Sequence, residues 1–471
     1  MDELKIKKPQ EILSEERPLV ELPALLKILL VLVFFLLGIS LLIFPSYIVL
    51  ALFFGVVTAI GILFNPFIGA ILFVAAAYLH PIQLMPELKY SNLTTAFGFI
   101  IFLVWAFHIL IYRDFKVPKS RQIPYFIGFA IIATVSSALR WEESSFYYVD
   151  LLKVFILYFL ISNLTKTKKQ ISIIVIVMLI LGFLGSILAV YQYTHGLGLK
   201  MSGGILRVTG FSDNPNDFGL SLLLLISFSV GLVMKSGKSA LKITGALLVC
   251  AYLLGILISF SRAVYLGLPV VLIVSVWKFI NKGKRFLTVI ITLMLFTVVL
   301  LFLPQQFWNR INSIVMTGAD PSIWSRLDGD IVGLKMMAAN PVIGVGIGRW
   351  KQEYWPIAYA SPLIRTKSST VPHNLFIEAG AETGITGLIL FSLLIFLALR
   401  ESQQSIRIFE KSKNTLLSVY SQSASISLVG FLISSMFISA LHVKFVWIIL
   451  GFIIALRNIA SKIESEDQGI K

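Results

Sequence analysis

The chain has 471 residues, of which 57% are hydrophobic, and its mean hydropathy is +0.88. This composition excludes a soluble globular protein, because a soluble domain needs polar faces between its apolar ones. The net charge of +16 would suit a nucleic-acid-binding protein, but the charges lie between long apolar segments and argue against a nucleic-acid partner. Lone Cys250 excludes an intrachain disulfide.

Apolar runs of about 20 residues recur along the chain, and each is long enough to cross a hydrocarbon core of about 30 Å. They predict an all-α polytopic membrane protein with about 12–14 transmembrane helices. We expect a cytoplasmic tail at 1–23, a transmembrane domain at 24–460 and a cytoplasmic tail at 461–471. The predicted spans are residues 24–44, 46–64, 67–80, 93–112, 123–139, 148–164, 171–194, 218–234, 243–260, 263–279, 286–303, 373–399, 415–439 and 443–460.

Basic residues between these spans cluster on one side of the predicted membrane. The clusters are Arg113-Lys116-Lys119-Arg121, Lys166-Lys168-Lys169, Lys278-Lys282-Lys284-Arg285 and Arg400-Arg407-Lys411-Lys413. The positive-inside rule makes this side cytoplasmic, so that both termini lie there. The opposite side then carries one long loop, residues 304–372. The clusters themselves suit orientation and contact with anionic lipid head groups.

Two polar motifs precede the long loop on its side of the membrane. Arg207 and the Asn-Pro-Asn-Asp run end before the span at 218, where Asn216 or Asp217 can cap a helix. Free N–H groups at such a helix start also attract anions. Arg262 sits between two spans with almost no loop, so its guanidinium lies near hydrocarbon and needs compensation. Snorkelling of Arg262 to head groups is the alternative.

The long loop is predicted to contain a helix over residues 322–339. Arg326 lies on this helix, and Asp330 four residues later can pair with it. Arg349 adds positive charge further along the loop. The glycine-rich run at 343–348 follows no strand, so it predicts a turn with positive φ angles rather than a nucleotide site.

His373 and Asn374 open the span that follows the loop. The positive end of a helix dipole disfavours imidazolium, so we expect a neutral His373 that can accept a proton. A capping or interfacial role for His373 is the alternative. Glu378 and Glu382 share a helix face with Asn374, and carboxylates inside a span are costly unless they face protein or water.

No His, Cys or Asp cluster has metal-ligand spacing along the sequence, so we expect a reaction without metal or cofactor. Arginine forks instead suit bidentate binding of phosphate oxygens. The arginines and the neutral histidine all fall on the predicted outer side. The sequence therefore predicts chemistry at the outer membrane surface on an anionic substrate.

The order of the polar motifs along residues 205–396 resembles that of the bacterial O-antigen ligase/polymerase superfamily. They are Arg207 with Gly210-Phe211-Ser212-Asp213-Asn214-Pro215-Asn216, Ser261-Arg262, Ser325-Arg326, Asn340-Pro341-Val342-Ile343-Gly344-Val345-Gly346, and His373-Asn374-Leu375-Phe376-Ile377-Glu378 followed by Glu382-Thr383-Gly384-Ile385-Thr386-Gly387. The resemblance implies a glycosyltransferase of the bacterial inner membrane with a large periplasmic loop. Such enzymes transfer a glycan from undecaprenyl pyrophosphate to an acceptor hydroxyl, without a metal or a nucleotide sugar.

The resemblance also implies roles for individual residues. Arg262 and Arg326 match the family's two essential arginines, and His373 matches its essential loop histidine. We expect the two arginines to hold the pyrophosphate and His373 to take or orient the acceptor proton. The expected substrate-binding residues are Arg207, Asn374, Glu378, Glu382 and Arg349.

Several alternatives remain open at the level of sequence. Some ligases of the superfamily carry two adjacent histidines where this chain has Asn374 second, which leaves ligase and repeat-unit polymerase both possible. The acceptor can be a lipid A core, a growing glycan or a protein hydroxyl. A transporter or flippase for lipid-linked glycan would show ionisable residues or broken helices near span centres. A non-catalytic assembly partner would not need His373.

Overall fold

The computed structural model describes residues 46–79, 93–113, 117–139, 141–197, 200–202, 205–280, 283, 305, 308, 321–361, 364 and 371–469. The predicted spans 24–44 and 286–303, the tail 1–23 and the parts of the loop at 309–320 and 365–370 lie outside the described residues. The chain divides into two compact units between Phe64 and Asn65. All of the predicted site residues belong to the second unit.

Helices dominate the described residues of each unit. The first unit contains α1 (Ser46–Phe64). The second contains α2 (Pro66–Tyr78), α3 (Leu93–Tyr112), α4 (Gln122–Ala138), α5 (Trp141–Leu164), α6 (Lys168–His195), α7 (Pro215–Lys235), α8 (Ser239–Ile258), α9 (Arg262–Phe279), α10 (Pro321–Ala339), α11 (Trp350–Ala360), α12 (Leu375–Lys411), α13 (Thr415–Ser435) and α14 (Lys444–Gly469). One short antiparallel hairpin, β1 (Lys200–Ser202) and β2 (Ile205–Arg207), precedes α7, with Lys200 opposite Arg207.

Eight helices of the described chain, α5 to α9 and α12 to α14, are long and apolar enough to cross a membrane. Four shorter apolar segments lie in α1 to α4. The all-α polytopic fold predicted from the sequence is therefore confirmed. Two helices run beyond the ends of their predicted spans. Helix α12 extends to Lys411, and α14 continues through the predicted tail to Gly469.

Local sequence explains where helices begin and end. Thr167 and Gln170 form a reciprocal capping box at the start of α6, and Gly196 ends that helix with φ 67°. At α7 the predicted caps were wrong: Asn214 is the cap, and its side chain accepts from the Asn216 backbone N–H. The reason is Pro215, which takes the first helical position and moves the helix start towards the N-terminus.

The core of the second unit centres on Trp447 of α14. Its ring contacts Phe126, Phe129, Phe155, Tyr158 and Phe391, which come from α4, α5 and α12. Aromatic pairs in such offset and edge arrangements add about 0.5–1.5 kcal/mol each beyond the area they bury. The cluster therefore fixes α12 between its neighbours and sets the position of its N-terminal turns.

Part of the long loop packs against α12 as an ordered layer. Val332 and Met336 of α10 join Trp350 and Tyr354 of α11 in a buried cluster that includes Ala381 of α12. This apolar contact holds α10, and with it Arg326, at one end of the helix bundle.

A break in α12 completes this attachment. Gly384 has φ 73° and interrupts the helix after its first turns. The backbone N–H groups of Val345 and Gly346 donate to the carbonyl oxygens of Ala381 and Glu382, respectively. The backbone N–H of Ile385 donates to the carbonyl oxygen of Pro341. The predicted turn at 343–348 is confirmed, because Gly344, Gly346 and Gly348 all have positive φ. The segment at 341–346 therefore supplies hydrogen-bond partners to the backbone groups of α12 that the break leaves without helical partners.

Candidate functional site

Arg326, Asp330 and His373 lie together where α10 meets the start of α12. Arg326 is close enough to both of the other residues to shift their pKa values electrostatically. The backbone N–H of His373 donates a hydrogen bond to the Asp330 carboxylate. The local Arg326–Asp330 interaction expected from their spacing is present. The Asp330 carboxylate also positions the backbone of His373. The structure thus places two of the three predicted catalytic residues side by side.

The protonation states of this group follow from its surroundings. Burial and then the positive charge of Arg326 lower the pKa of His373 to about 4. His373 is therefore neutral at pH 7 and can accept a proton, as expected from the sequence. Burial raises the pKa of Asp330 to about 6, although His373 N–H and Arg326 oppose the rise.

Arg262 is the first residue of α9, at the end of the bundle that also carries Arg326. Five residues later, Gly267 packs against Gly430 and Ser434 near the end of α13. The turn that follows α13 includes Phe437, whose carbonyl accepts a 3.5 Å hydrogen bond from Arg326 Nη1. Arg262 lies about 7.5 Å before Gly267 along its helix axis, which places it towards the same turn.

Arg207 is buried at 7% exposure and stabilises the backbone around Arg262. Its Nε donates to the Ser259 carbonyl at 2.9 Å and its Nη2 donates to Asn216 Oδ1 at 2.7 Å. Ser261 Oγ donates to the same Asn216 oxygen at 2.9 Å. These bonds tie β2 and the start of α7 to the α8–α9 turn. Arg207 is therefore placed to fix the turn that presents Arg262, and its substrate contact stays a prediction.

Asn374 and Glu378 have defined structural partners at the start of α12. Asn374 is the N-cap, and its side chain accepts from the N–H groups of Phe376 and Ile377. Oε1 of buried Glu378 accepts from Ser439 Oγ at 2.6 Å. Its Oε2 accepts from the backbone N–H groups of Ala440 and Leu441. These contacts join α12 to the α13–α14 turn, residues 436–443.

Glu382 lies one turn further along α12 and is 4% exposed. Its Oε1 accepts from Gly348 N–H at 2.9 Å. Its Oε2 accepts no hydrogen bond and lies 3.7 Å from Nε2 of His442, in the α13–α14 turn. Burial acts to lower the pKa of His442, but Glu382 and then Glu378 outweigh it and raise that pKa.

Arg349 lies at the start of α11, directly after Gly348, whose N–H donates to Glu382. Its Nη2 pairs with Glu353 Oε1 of the same helix at 3.1 Å. This i,i+4 pair orients the side chain, so the predicted binding role of Arg349 remains untested by the geometry.

Sequence reasoning missed the α13–α14 turn, which contacts Arg326, Glu378 and Glu382 through different residues. It also missed that Glu378, Glu382 and His442 bring possible metal-ligand atoms within 4.8 Å of one another. A search for ligand spacing within one segment cannot find this group, because His442 is 60 residues from Glu382 along the chain. The available signal was a histidine in the short connection between two predicted spans.

Comparison with known proteins gives one family. Residues 246–392 match the family model of the O-antigen ligase. The match includes Arg262, Arg326, His373, Glu378 and Glu382, whereas Arg207 precedes it. No curated protein matches the chain. The family match supports the O-antigen ligase/polymerase superfamily that the ordered motifs predict.

Proposed function

Because this chain carries the domain of the O-antigen ligase family, we propose that it is a multi-pass bacterial membrane enzyme that transfers a lipid-linked glycan to an acceptor hydroxyl. The donor in this proposal is a glycan on undecaprenyl pyrophosphate. The observation that carries the proposal is the grouping of Arg326, Asp330 and neutral His373 beside α12. A cation for an anionic leaving group and a base for a hydroxyl are the two functions that such a transfer needs.

In the proposed reaction, the acceptor oxygen attacks the anomeric carbon of the donor as the carbon–oxygen bond to pyrophosphate breaks. His373 takes the hydroxyl proton, and Arg326 and Arg262 stabilise the negative charge that develops on the departing pyrophosphate. Attack opposite the leaving group inverts the anomeric centre. The arginines supply the positive charge, so the proposed transfer needs no metal.

Donor binding also improves His373 as a base. A histidine with a pKa near 4 is a weak base at pH 7. A bound pyrophosphate would offset the charge of Arg326, which is one of the two causes that lower this pKa. The base would therefore strengthen when the donor is in place, and Asp330 would keep its backbone oriented.

The broken helix that would favour a transporter has a specific local explanation. The backbone groups that lose their helical partners at Gly384 form hydrogen bonds with Pro341, Val345 and Gly346 of the loop. Gly384 also lies in the first third of a 37-residue helix, which at about 1.5 Å per residue is much longer than a hydrocarbon core of about 30 Å. The break therefore serves loop attachment, which supports the enzyme over the transporter.

The direct test is alanine substitution at Arg262, Arg326 and His373, with glycan transfer measured in reconstituted membranes. We expect each variant to insert normally and to lose transfer by roughly 10²-fold or more, as expected when transition-state charge stabilisation or a general base is removed. Arg400→Ala is the matched control, because Arg400 is an exposed arginine at the other end of α12. Full activity in Arg262→Ala or Arg326→Ala would end this mechanism.

Ligase and polymerase are distinguished by the glycans of a strain that lacks the protein. Long chains retained on the lipid carrier, with none on the surface, would identify a ligase. Single repeat units that still reach the surface would identify a polymerase. An unchanged profile would contradict the proposed substrate unless a second enzyme replaces the missing one, which a double deletion would reveal.

A further inference from the structure

Two buried glutamates and one histidine converge between α12 and the α13–α14 turn, and the proposed transfer uses none of them as a reacting group. Glu378 and Glu382 are 5% and 4% exposed and lie on one face of α12. His442 comes from the turn and is partly buried. The possible ligand atoms of the three residues lie within 4.8 Å of one another.

An unsatisfied oxygen points into this group. Oε2 of Glu382 is buried and accepts no hydrogen bond, whereas Oε1 is held by Gly348 N–H at 2.9 Å. His442 also has a buried ring nitrogen, Nδ1, without a hydrogen-bond partner. Buried polar atoms are nearly always satisfied, so each such atom requires an explanation. A bound cation would satisfy the Glu382 oxygen directly.

The distances suit a metal ion better than a hydrogen bond. Glu382 Oε2 and His442 Nε2 are 3.7 Å apart, beyond the usual limit of about 3.2 Å for an N–H to oxygen hydrogen bond. Two ligands on a tetrahedral ion with bonds of about 2.1 Å are about 3.4 Å apart. The pair is therefore within a few tenths of an ångström of ligand spacing.

Glu378 is suited to be the third ligand. Its carboxylate is fixed by Ser439, Ala440 and Leu441, and these three bonds leave one lone-pair site free, on Oε1. Hydrogen bonds that orient a ligating carboxylate are usual around metal sites. Two adjacent buried carboxylates also repel each other, and a divalent cation would remove that repulsion.

We propose that Glu378, Glu382 and His442 form a binding site for one divalent transition-metal cation of the zinc class, which stabilises the attachment of α12 to the α13–α14 turn. Two carboxylate oxygens and one imidazole nitrogen suit zinc, with water in the fourth position. A calcium or magnesium site would use oxygen ligands alone. No step of the proposed transfer uses this ion, so the proposed transfer and this site can fail independently.

Zinc binding by the purified full-length protein tests the proposal. The protein carries no histidine tag, is treated with chelator, dialysed, and titrated with zinc sulfate before its metal content is measured. We expect one zinc per chain and a higher thermal unfolding temperature in the wild type. Glu382→Gln and His442→Gln should each weaken binding on the order of tenfold or more, because each removes one of three ligands.

His195→Gln is the matched control, because His195 is an exposed histidine outside the cluster and should leave binding unchanged. Absence of zinc from the wild type, or full binding in both cluster variants, would overturn the proposal. X-ray absorption at the zinc edge needs no variant and therefore decides the matter even if a variant fails to fold. A shell of nitrogen and oxygen with one imidazole supports the site, whereas sulfur or two imidazoles refutes it.

Discussion

At the scale of single residues, His373 and Asp330 show how burial shifts two neighbouring pKa values in opposite directions. Arg326 acts on both, lowering the pKa of the histidine and partly limiting the rise at the carboxyl. Desolvation drives both groups towards their neutral forms. The result is a neutral histidine beside an arginine, which is the arrangement that the proposed transfer uses.

The two shifts have opposite effects on stability. Between pH 4 and 6.5, His373 binds more protons in the unfolded chain, so its contribution to folding rises with pH. Between pH 3.8 and 6, Asp330 binds more protons in the native protein, so its contribution falls as pH rises. These contributions oppose each other, and the pH dependence of activity is the better measurement.

We expect kcat/KM for transfer to have an acid limb near pH 4 from His373 and a second break near pH 6 from Asp330. This quantity reports the free enzyme, in which no donor offsets the charge of Arg326. In Asp330→Asn the break near pH 6 should disappear while the limb near pH 4 remains. An acid limb at pH 6.5 in that variant would show that the environment of His373 does not lower its pKa.

At the scale of elements, the break in α12 and the glycine turn of the loop form one joint. Gly384 and Gly344 both have positive φ, and each lies against the backbone of the other segment. A side chain at either position would be strained and would also collide with that backbone. The joint therefore holds the loop helices, including α10 with Arg326, in register with the start of α12.

Gly384→Ala should destabilise this joint. A Cβ there would stand 2.6 Å from the carbonyl carbon of Val342, in addition to the cost of φ 73°. We expect a loss of about 1–3 kcal/mol in unfolding free energy and faster proteolysis of the loop. Thermal unfolding in detergent and limited proteolysis measure the two effects.

Gly237→Ala is the control, because a Cβ at Gly237 would meet no atom within 4 Å. Equal unfolding temperatures for the two alanine variants would contradict the role of Gly384.

At the scale of the whole molecule, the charge pattern and the described helices suit one orientation in the membrane. Both termini are proposed to be cytoplasmic, with the loop and its site periplasmic. The reacting groups then lie on the side where the proposed donor presents its glycan. This orientation is a proposal that labelling can test.

Single cysteines in a Cys250→Ala background provide the test, since Cys250 is the native cysteine of the chain. Gln352→Cys in α11 and Gly237→Cys between α7 and α8 both introduce exposed positions. A membrane-impermeant maleimide added to spheroplasts should label Gln352→Cys at once, and Gly237→Cys only after permeabilisation. The reverse pattern would invert the proposed orientation.

The sequence by itself determined the helical class and most helix positions, because apolar length and charge placement act locally along the chain. The span predicted at 93–112, for example, coincides with α3. Its ordered motifs also predicted the family. A neutral His373 was predicted from its place at a helix start, whereas burial and Arg326 are the causes that lower its pKa in the structure.

Only the tertiary structure decided which residues meet. His442, 60 residues from Glu382 in sequence, could not be joined to it by any spacing rule. Arg207 was predicted to bind substrate, yet its side chain donates hydrogen bonds to Asn216 and to the carbonyl of Ser259, which is 52 residues away in sequence. The physical reason is that pairing of side chains depends on packing between distant segments, whereas membrane insertion depends on the composition of each segment.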